Sequence, residues 1–342
     1  MSPARAQSPR IVMRADARPE LGGGHITRCL ALAEALQNRG AEVVFACNPD
    51  APSVVPRLDD GAFTVLTARD RGALPVPAAW RGRADAAVID LYDSTIADER
   101  GYRNVAGLVA VYEDLPERSH DCDLLIDQSL GASASQYEGR IKDETTLLLG
   151  PQFFAAREEF LAARPAALAR RDKAELGRIL ISMGLTDVRG ISWRVARVVL
   201  EVFAGEVEVI IGAQAQSRAA LEALTVEHDR LTLTVEARDI ARRMATADLA
   251  IGAGGGTALE RCILGLPSLI VVLADNQLAL ANHLHDSGAA ERLSPSQPIE
   301  QTLPEALAAM TPQRLAAMAH SAMAVSDGDG AARLADAILA RI

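Results

Sequence analysis

The chain has 342 residues, 49% hydrophobic and 23% charged, with a net charge of −10 and no dense basic stretch. That length accommodates two domains with separate buried cores, and the charge argues against a nucleic-acid partner, because binding to backbone phosphates leaves a Lys/Arg-rich footprint. The longest apolar run, Leu266 to Ala274, is too short for a bilayer, and MSPARAQSPR has no apolar signal core, so the sequence predicts a cytoplasmic protein without membrane insertion.

Residues 1–9 read as a disordered tail. Ile11, Val12 and Met13 then form a short apolar run, and Leu30, Leu32 and Leu36 recur at helical spacing further on. The stretch between them, ADARPELGGGHITR from Ala15 to Arg28, therefore joins a strand to a helix. Gly22, Gly23 and Gly24 let backbone come close to something bulky, and a phosphate at a helix terminus is the usual candidate. His25 falls where the helix begins. The unpaired N–H groups and partial positive charge there disfavour an imidazolium, leaving a ring able to take a proton from water as a general base. A capping or packing histidine is the alternative. A dinucleotide fingerprint fits less well: Thr27 occupies its third glycine position, and seven residues separate Arg14 from the first glycine. Asp50 nevertheless lies where a ribose-binding acid would be sought.

Further short apolar runs follow at 42–47 (EVVFAC), 63–66, 86–90 (AAVID), 107–112 (GLVAVY) and 124–127, each followed by a polar or helical stretch. Such alternation predicts a parallel sheet covered on both faces. From Phe153 the pattern becomes helical and rich in Ala, Arg and Glu, which marks residues 153–176 as a linker between an N-terminal domain, 10–152, and a second one, 177–303. The strand–loop–helix rhythm restarts at 178–182 (RILIS) and continues through runs at 207–211, 231–235, 249–251 and 268–272. Residues 304–342 read as a helical C-terminal segment. The fold class is α/β, two Rossmann-like domains whose parallel sheets face a central cleft.

Gly252 to Glu260 (GAGGGTALE) is the second glycine-rich corner. Gly254, Gly255 and Gly256 followed by Thr257 give a concave array of backbone N–H groups suited to a diphosphate. Thr257 and Glu260 also have the T-x-x-E spacing of a capping box, so Glu260 reads equally as a cap or as a ligand residue. Asp275, Asn276, Gln277 and Asn282 follow the next strand and suit sugar hydroxyls or acetamido groups, with turn formation as the alternative. At the end of 178–182, the loop Ser182 to Asp187 places Gly184, Thr186 and Asp187 either on a ligand or, for the last two, at the cap of the next helix. His283 and His285 are two apart, a poor metal pair. Cys29, Cys47, Cys122 and Cys262 stand singly and read as small core residues, and no metal site or cofactor is predicted.

With these motifs placed, the sequence resembles the UDP-2,4-diacetamido-2,4,6-trideoxy-β-L-altropyranose hydrolases of pseudaminic acid biosynthesis, which have a GT-B-like fold. The resemblance covers roughly residues 10–290. It is carried by RADARPELGGGHITR, by VIDLY ending at Tyr92, by YEDLPERSHDCDLLID, by SQYEG at Tyr137, by LGPQFFAAREEF, by SMGLTD, and by the second corner with Glu260 and Asn276-Gln277. It implies hydrolysis of that UDP-sugar to UDP and free sugar by C1–O cleavage with inversion, with no metal. His25 would be the base and Glu260 would bind the nucleotide. Asp16, Gly23, Gly24, Arg28, Tyr92, Gly184, Thr186, Asp187, Gly254, Gly255, Gly256, Thr257, Asn276 and Gln277 would join it around the substrate. Two positions depart from the family pattern: Leu185 stands where a glycine is usual, and Gly190 where an asparagine is. A GT-B glycosyltransferase using a UDP-sugar donor, and a nucleotide-sugar-binding protein without turnover, are the competing readings.

Overall fold

The computed structural model describes residues 8–18, 23–173, 175–184, 187, 190–294 and 296–342. Most of the expected tail, together with Gly22, Leu185 and Thr186, therefore lies outside the described residues.

The chain forms two compact units, one of Met1–Arg157 with Asp329–Ile342 and one of Glu158–Gly328. In the first, β1 (Arg10–Ala15), α1 (Gly24–Gln37), β2 (Glu42–Cys47), α2 (Ala51–Val54), β3 (Thr64–Thr67), β4 (Ala84–Asp90), α3 (Ile96–Tyr102), β5 (Ala106–Tyr112), β6 (Leu124–Asp127) and β7 (Thr146–Leu149) succeed one another. The strands pair in the order β3-β2-β1-β4-β5-β6-β7, all parallel. Residues of β1 alternate between two cores. Ile11 and Met13 join Leu32 and Leu36 of α1, whereas Val12 packs on the other face with Trp80, Tyr102 and Tyr137. Burial on both faces is why these strands read as continuous apolar runs.

The second unit contains α4 (Glu158–Arg171), β8 (Arg178–Ser182), α5 (Ile191–Val202), β9 (Glu206–Ile211), α6 (Arg218–Glu227), β10 (Leu231–Val235), α7 (Ile240–Thr246), β11 (Leu249–Ala253), α8 (Thr257–Ile263), β12 (Ser268–Val271), α9 (Leu278–Asp286), β13 (Ala290–Arg292), α10 (Ile299–Ala308) and α11 (Pro312–Val325). Its sheet is also parallel, in the order β10-β9-β8-β11-β12-β13. The last helix, α12 (Gly330–Leu339), returns to the first unit.

Two expectations about boundaries need correction. Residues 153–176 are not a free linker, because α4 is part of the second unit. Arg171 at its end is buried and donates to the carbonyls of Met244 (3.2 Å), Leu264 (3.3 Å) and Ala247. Burial pushes that guanidinium down to about 10, against the opposing pull of the Asp248 charge. Nor is 304–342 one segment: α10 and α11 stay with the second unit, while Leu334 and Ile338 of α12 fill the core beside α1. Gly330 allows this return, since a Cβ there would overlap the Phe154 carbonyl.

In each sheet the strand order reverses once, between β1 and β4 and between β8 and β11. Ligands of open α/β sheets bind beyond the carboxyl ends of strands at such switch points. The first glycine-rich corner follows β1 and the second follows β11, so each lies at the switch point of its own sheet. Among the described residues no helix is long and apolar enough to cross a membrane.

Candidate active site

At the first corner Gly23 occupies the N-cap position of α1, and among the described residues no side chain caps that helix. The two described glycines differ in their surroundings. A Cβ on Gly23 would meet the Val55 side chain at 2.5 Å, whereas a Cβ on Gly24 would meet nothing within 4 Å. Gly23 is thus small because α1 packs closely on residue 55, and Gly24 is the open one.

His25 is the second residue of α1, with its side chain 10% exposed. Its Nδ1 lies against Oδ1 of Asp90, the last residue of β4, and its ring meets Tyr92 edge-on, centroids 4.3 Å apart. Parallel pairing explains the meeting, because Asp90 lies opposite Ala15 at the end of β1 and the chain then turns into α1. One helical turn beyond His25, Arg28 closes a fork on the same carboxylate, Nε at 2.6 Å from Oδ2 and Nη2 at 2.7 Å from Oδ1. Its Nη1 is 3.2 Å from Asp114 Oδ2, and its plane lies 4.8 Å from the centre of the Tyr112 ring. Cys29 Sγ adds a longer contact of 3.6 Å to Asp90. Burial would raise the Asp90 carboxyl, but the charge and hydrogen bonds of Arg28, with His25 behind them, hold it well below the usual carboxylate range.

A carboxylate against Nδ1 makes that nitrogen the donor, which leaves Nε2 as the lone-pair acceptor. The group can therefore orient an imidazole and take a proton from a bound water or hydroxyl at Nε2. Asp90 and Asp114 complete this group; the sequence reading gave neither a role, naming Asp114 only within the YEDLPERSHDCDLLID motif. The available signal for Asp90 is a carboxylate at the carboxyl end of β4, the strand beside β1.

Behind Asp114 lies a buried charged brace. Glu113 Oε1 accepts the backbone N–H groups of Asp114 (3.0 Å) and Leu115 (2.7 Å), while Oε2 faces Arg118 Nε (2.8 Å) and His120 Nε2 (2.9 Å). His120 Nδ1 meets Glu99 Oε1 at 2.8 Å. Burial alone would lower the His120 imidazole, but its two glutamates raise it to about 9.

Several residues expected around substrate are engaged within the fold instead. Asp16 accepts from Arg14 Nη1 (2.5 Å) and Nη2 (3.3 Å) and from the Asn48 backbone N–H (2.8 Å), which ties the loop after β1 to the end of β2. Arg28 is committed to the two aspartates. Asp187 is fully buried, with Oδ1 accepting the Ser192 N–H at 2.8 Å and Oδ2 the Ser217 hydroxyl, so it caps α5. Gly190, at the N-cap position of α5, has φ +63°, a left-handed conformation that glycine and asparagine tolerate better than other residues, which accounts for the departure from the family pattern there. Gln277 Oε1 accepts the N–H groups of Leu273 (3.0 Å) and Gly254 (3.4 Å) and so braces the second corner.

Others remain open. Tyr92 is 42% exposed, Asn276 and Gly184 are exposed, and Cβ atoms on Gly255 and Gly256 would meet nothing within 4 Å. At this corner the N-cap position belongs to Gly256, with Thr257 already inside α8 and no side-chain cap. The Glu260 N–H is bonded to the Gly256 carbonyl at 3.4 Å. Thr257 and Glu260 therefore do not form the capping box their spacing suggests. Arg261 lies buried underneath, donating to Ala253 O (2.9 Å) and Ser268 Oγ (3.1 Å). Burial pushes it down to about 10, and Gly252 must be glycine because a Cβ would lie 2.5 Å from its Nη1. Among the described residues no cluster of His, Cys, Asp and Glu has the makings of a metal site.

The two parallel-sheet units have the GT-B fold, and several proteins the chain is similar to are named for acting on UDP-sugars. Residues 201–337 match the glycosyltransferase family 28 C-terminal domain. The chain is 23% identical over 82% of its length to the UDP-2,4-diacetamido-2,4,6-trideoxy-β-L-altropyranose hydrolase of Campylobacter jejuni, covering 97% of that enzyme. This matches the resemblance seen in the motifs. It is also 25% identical over 79% of its length to an uncharacterised protein of Methanocaldococcus jannaschii, of which it spans only 56%. Over 108 residues it is 42% identical to the UDP-N-acetylglucosamine–N-acetylmuramyl-(pentapeptide) pyrophosphoryl-undecaprenol N-acetylglucosamine transferase of Phenylobacterium zucineum, spanning 30% of each chain. Among solved structures, MurG of Acinetobacter baumannii shares the fold with a TM-score of 0.69 and 19% identity, covering 97% of this chain and 99% of that one.

Proposed function

We propose that this protein hydrolyses UDP-2,4-diacetamido-2,4,6-trideoxy-β-L-altropyranose, or a close diacetamido-trideoxy analogue, to UDP and the free sugar. The observation that carries the proposal is the His25–Asp90 pair, which leaves one ring nitrogen as a base. The match to the Campylobacter jejuni hydrolase over nearly its whole length supports the choice of substrate.

In this mechanism Nε2 of His25 takes a proton from water as the water oxygen bonds to C1 of the sugar. The C1–O bond breaks with inversion, its electron pair leaving on the diphosphate of UDP. The backbone N–H groups at Gly255 and Gly256 stabilise that charge, Glu260 holds the nucleoside, and Tyr92 and Asn276 contact the sugar. The mechanism as proposed uses no metal, so chelator treatment should leave the rate unchanged.

The family 28 match and the transferase segment favour one second reading, transfer to an acceptor hydroxyl that replaces water at the same base. An NMR time course in water enriched with oxygen-18 decides between them. Hydrolysis gives UDP plus a reducing sugar carrying the label at C1, with the opposite anomer appearing first. A transferase stalls without acceptor. Label in UDP would mean cleavage of the O–P bond and would overturn the mechanism.

A further inference from the structure

We propose that Arg28 acts on the chemistry through Asp90 and does not bind substrate: it fixes the Asp90 carboxylate so that His25 keeps its proton on Nδ1 and offers Nε2 as acceptor. This deepens the hydrolase reading and rests on His25 being its base.

All three guanidinium nitrogens are occupied. Nε and Nη2 grip the two oxygens of Asp90 at 2.6 and 2.7 Å, Nη1 reaches Asp114 at 3.2 Å, and one face of the plane is covered by Tyr112. The side chain is only 12% exposed. An arginine waiting for a phosphate would keep part of its fork open, whereas this one would have to break an ion pair to reach a ligand. The fork also sets the plane of the carboxylate, and Oδ1 is the atom shared between Arg28 and the His25 ring. Asp114 is held in turn from the rear. Its own N–H and that of Leu115 are bonded to Glu113, which is clamped by Arg118 and His120, with Glu99 beyond. A connected set of charged groups thus stands behind Arg28, and Asp90 links it to the His25 imidazole.

The test uses the full-length protein with Arg28→Gln, Arg28→Lys and Asp114→Asn. Three quantities are read: kcat and KM for the UDP-sugar, affinity for UDP, and the side-chain nitrogen-15 shifts of His25, assigned by comparison with His25→Ala. Arg28→Gln should lower kcat about 100-fold, a typical share for one general base, with KM and UDP affinity within about twofold. The His25 signals should move from the Nδ1–H form towards a mixture. Arg28→Lys should recover part of the rate, and Asp114→Asn, which leaves the grip on Asp90 intact and keeps the test alive if Arg28→Gln does not fold, should move kcat the same way by a smaller factor. A tenfold rise in KM with kcat retained would make Arg28 a substrate ligand, and lost activity with unmoved His25 signals would make it merely structural. Either overturns the proposal. If wild-type protein hydrolyses no UDP-sugar the hydrolase reading fails, while the His25 signals of Arg28→Gln still decide whether Arg28 governs the ring.

Discussion

Replacing Asp90 by asparagine tests the centre of the site with almost no change of shape. Oδ1 serves both His25 Nδ1 and Arg28 Nη2, and Oδ2 serves Arg28 Nε. An amide has one accepting oxygen and one donating nitrogen, so whichever way it turns its NH2 meets a donor. The guanidinium cannot give up a proton, but the imidazole can move its own to Nε2, and the amide nitrogen then donates to Nδ1. The ring becomes the wrong tautomer and has no lone pair for water. A general base contributes about 10²- to 10⁴-fold, so kcat should fall by that factor, roughly 3–5 kcal/mol of barrier. Stability should fall by about 3 kcal/mol, the low end for breaking a buried ion pair, because Arg28 keeps Asp114. Affinity for UDP should stay within about twofold. The measurements are kcat at saturating UDP-sugar, calorimetric titration with UDP, and urea unfolding. An Asp90→Asn protein with kcat within about threefold of wild type would refute the reasoning, since among the described residues no other group is bonded to Nδ1 of His25 to fix its tautomer.

Other outcomes follow from neighbouring features. His25→Ala should reduce turnover by about 10²- to 10⁴-fold and leave UDP affinity nearly unchanged, as measured by the same titration. Glu260→Ala should weaken UDP binding by about 10- to 100-fold, the effect of one charged hydrogen bond; a drop in melting temperature with unchanged UDP affinity would leave the residue a role in stability alone. His120, raised to about 9 against 6.5 for the free imidazole, should contribute about 3 kcal/mol of stability. Because the folded value is the higher one, that stability is complete below about pH 6.5, declines as the unfolded chain releases its proton, and is gone once pH passes about 9. Urea midpoints of wild type and His120→Gln should therefore converge between pH 6.5 and 9, and parallel curves would refute the assignment.

Much of this was legible in the sequence where the signal is local. Buried parallel strands betray themselves as apolar runs, and both glycine corners fall at strand-to-helix junctions. β7 and β13 escape such a reading, since β7 is an edge strand with only Leu148 buried and two of the three residues of β13 are charged. The His25–Asp90 contact joins residues 65 positions apart through strand register, which no spacing rule near either residue contains. The same blindness hides the partners of Asp16, Arg28 and Gln277 within the fold, whereas the capping alternative read for Asp187 is the one its bond to Ser192 shows. Their polar groups do converge on strand ends, but a side chain's preference between ligand and fold depends on partners that only the assembled sheet brings near. The capping box fails for the opposite reason: T-x-x-E has the right spacing, yet the helix starts one residue earlier than the pattern assumes.

The return of α12 has a consequence for how the chain is made. A ribosome releases the N-terminal strands long before Leu334 and Ile338 exist, so the layer over α1 waits uncovered while everything from Glu158 to Gly328 is synthesised. The inserted unit is complete first, and the earlier-born one closes only once α12 has been made. Clipping the last dozen residues should for that reason damage the half of the protein made first, and splicing residue 157 directly to 329 offers the shortest route to studying that half alone.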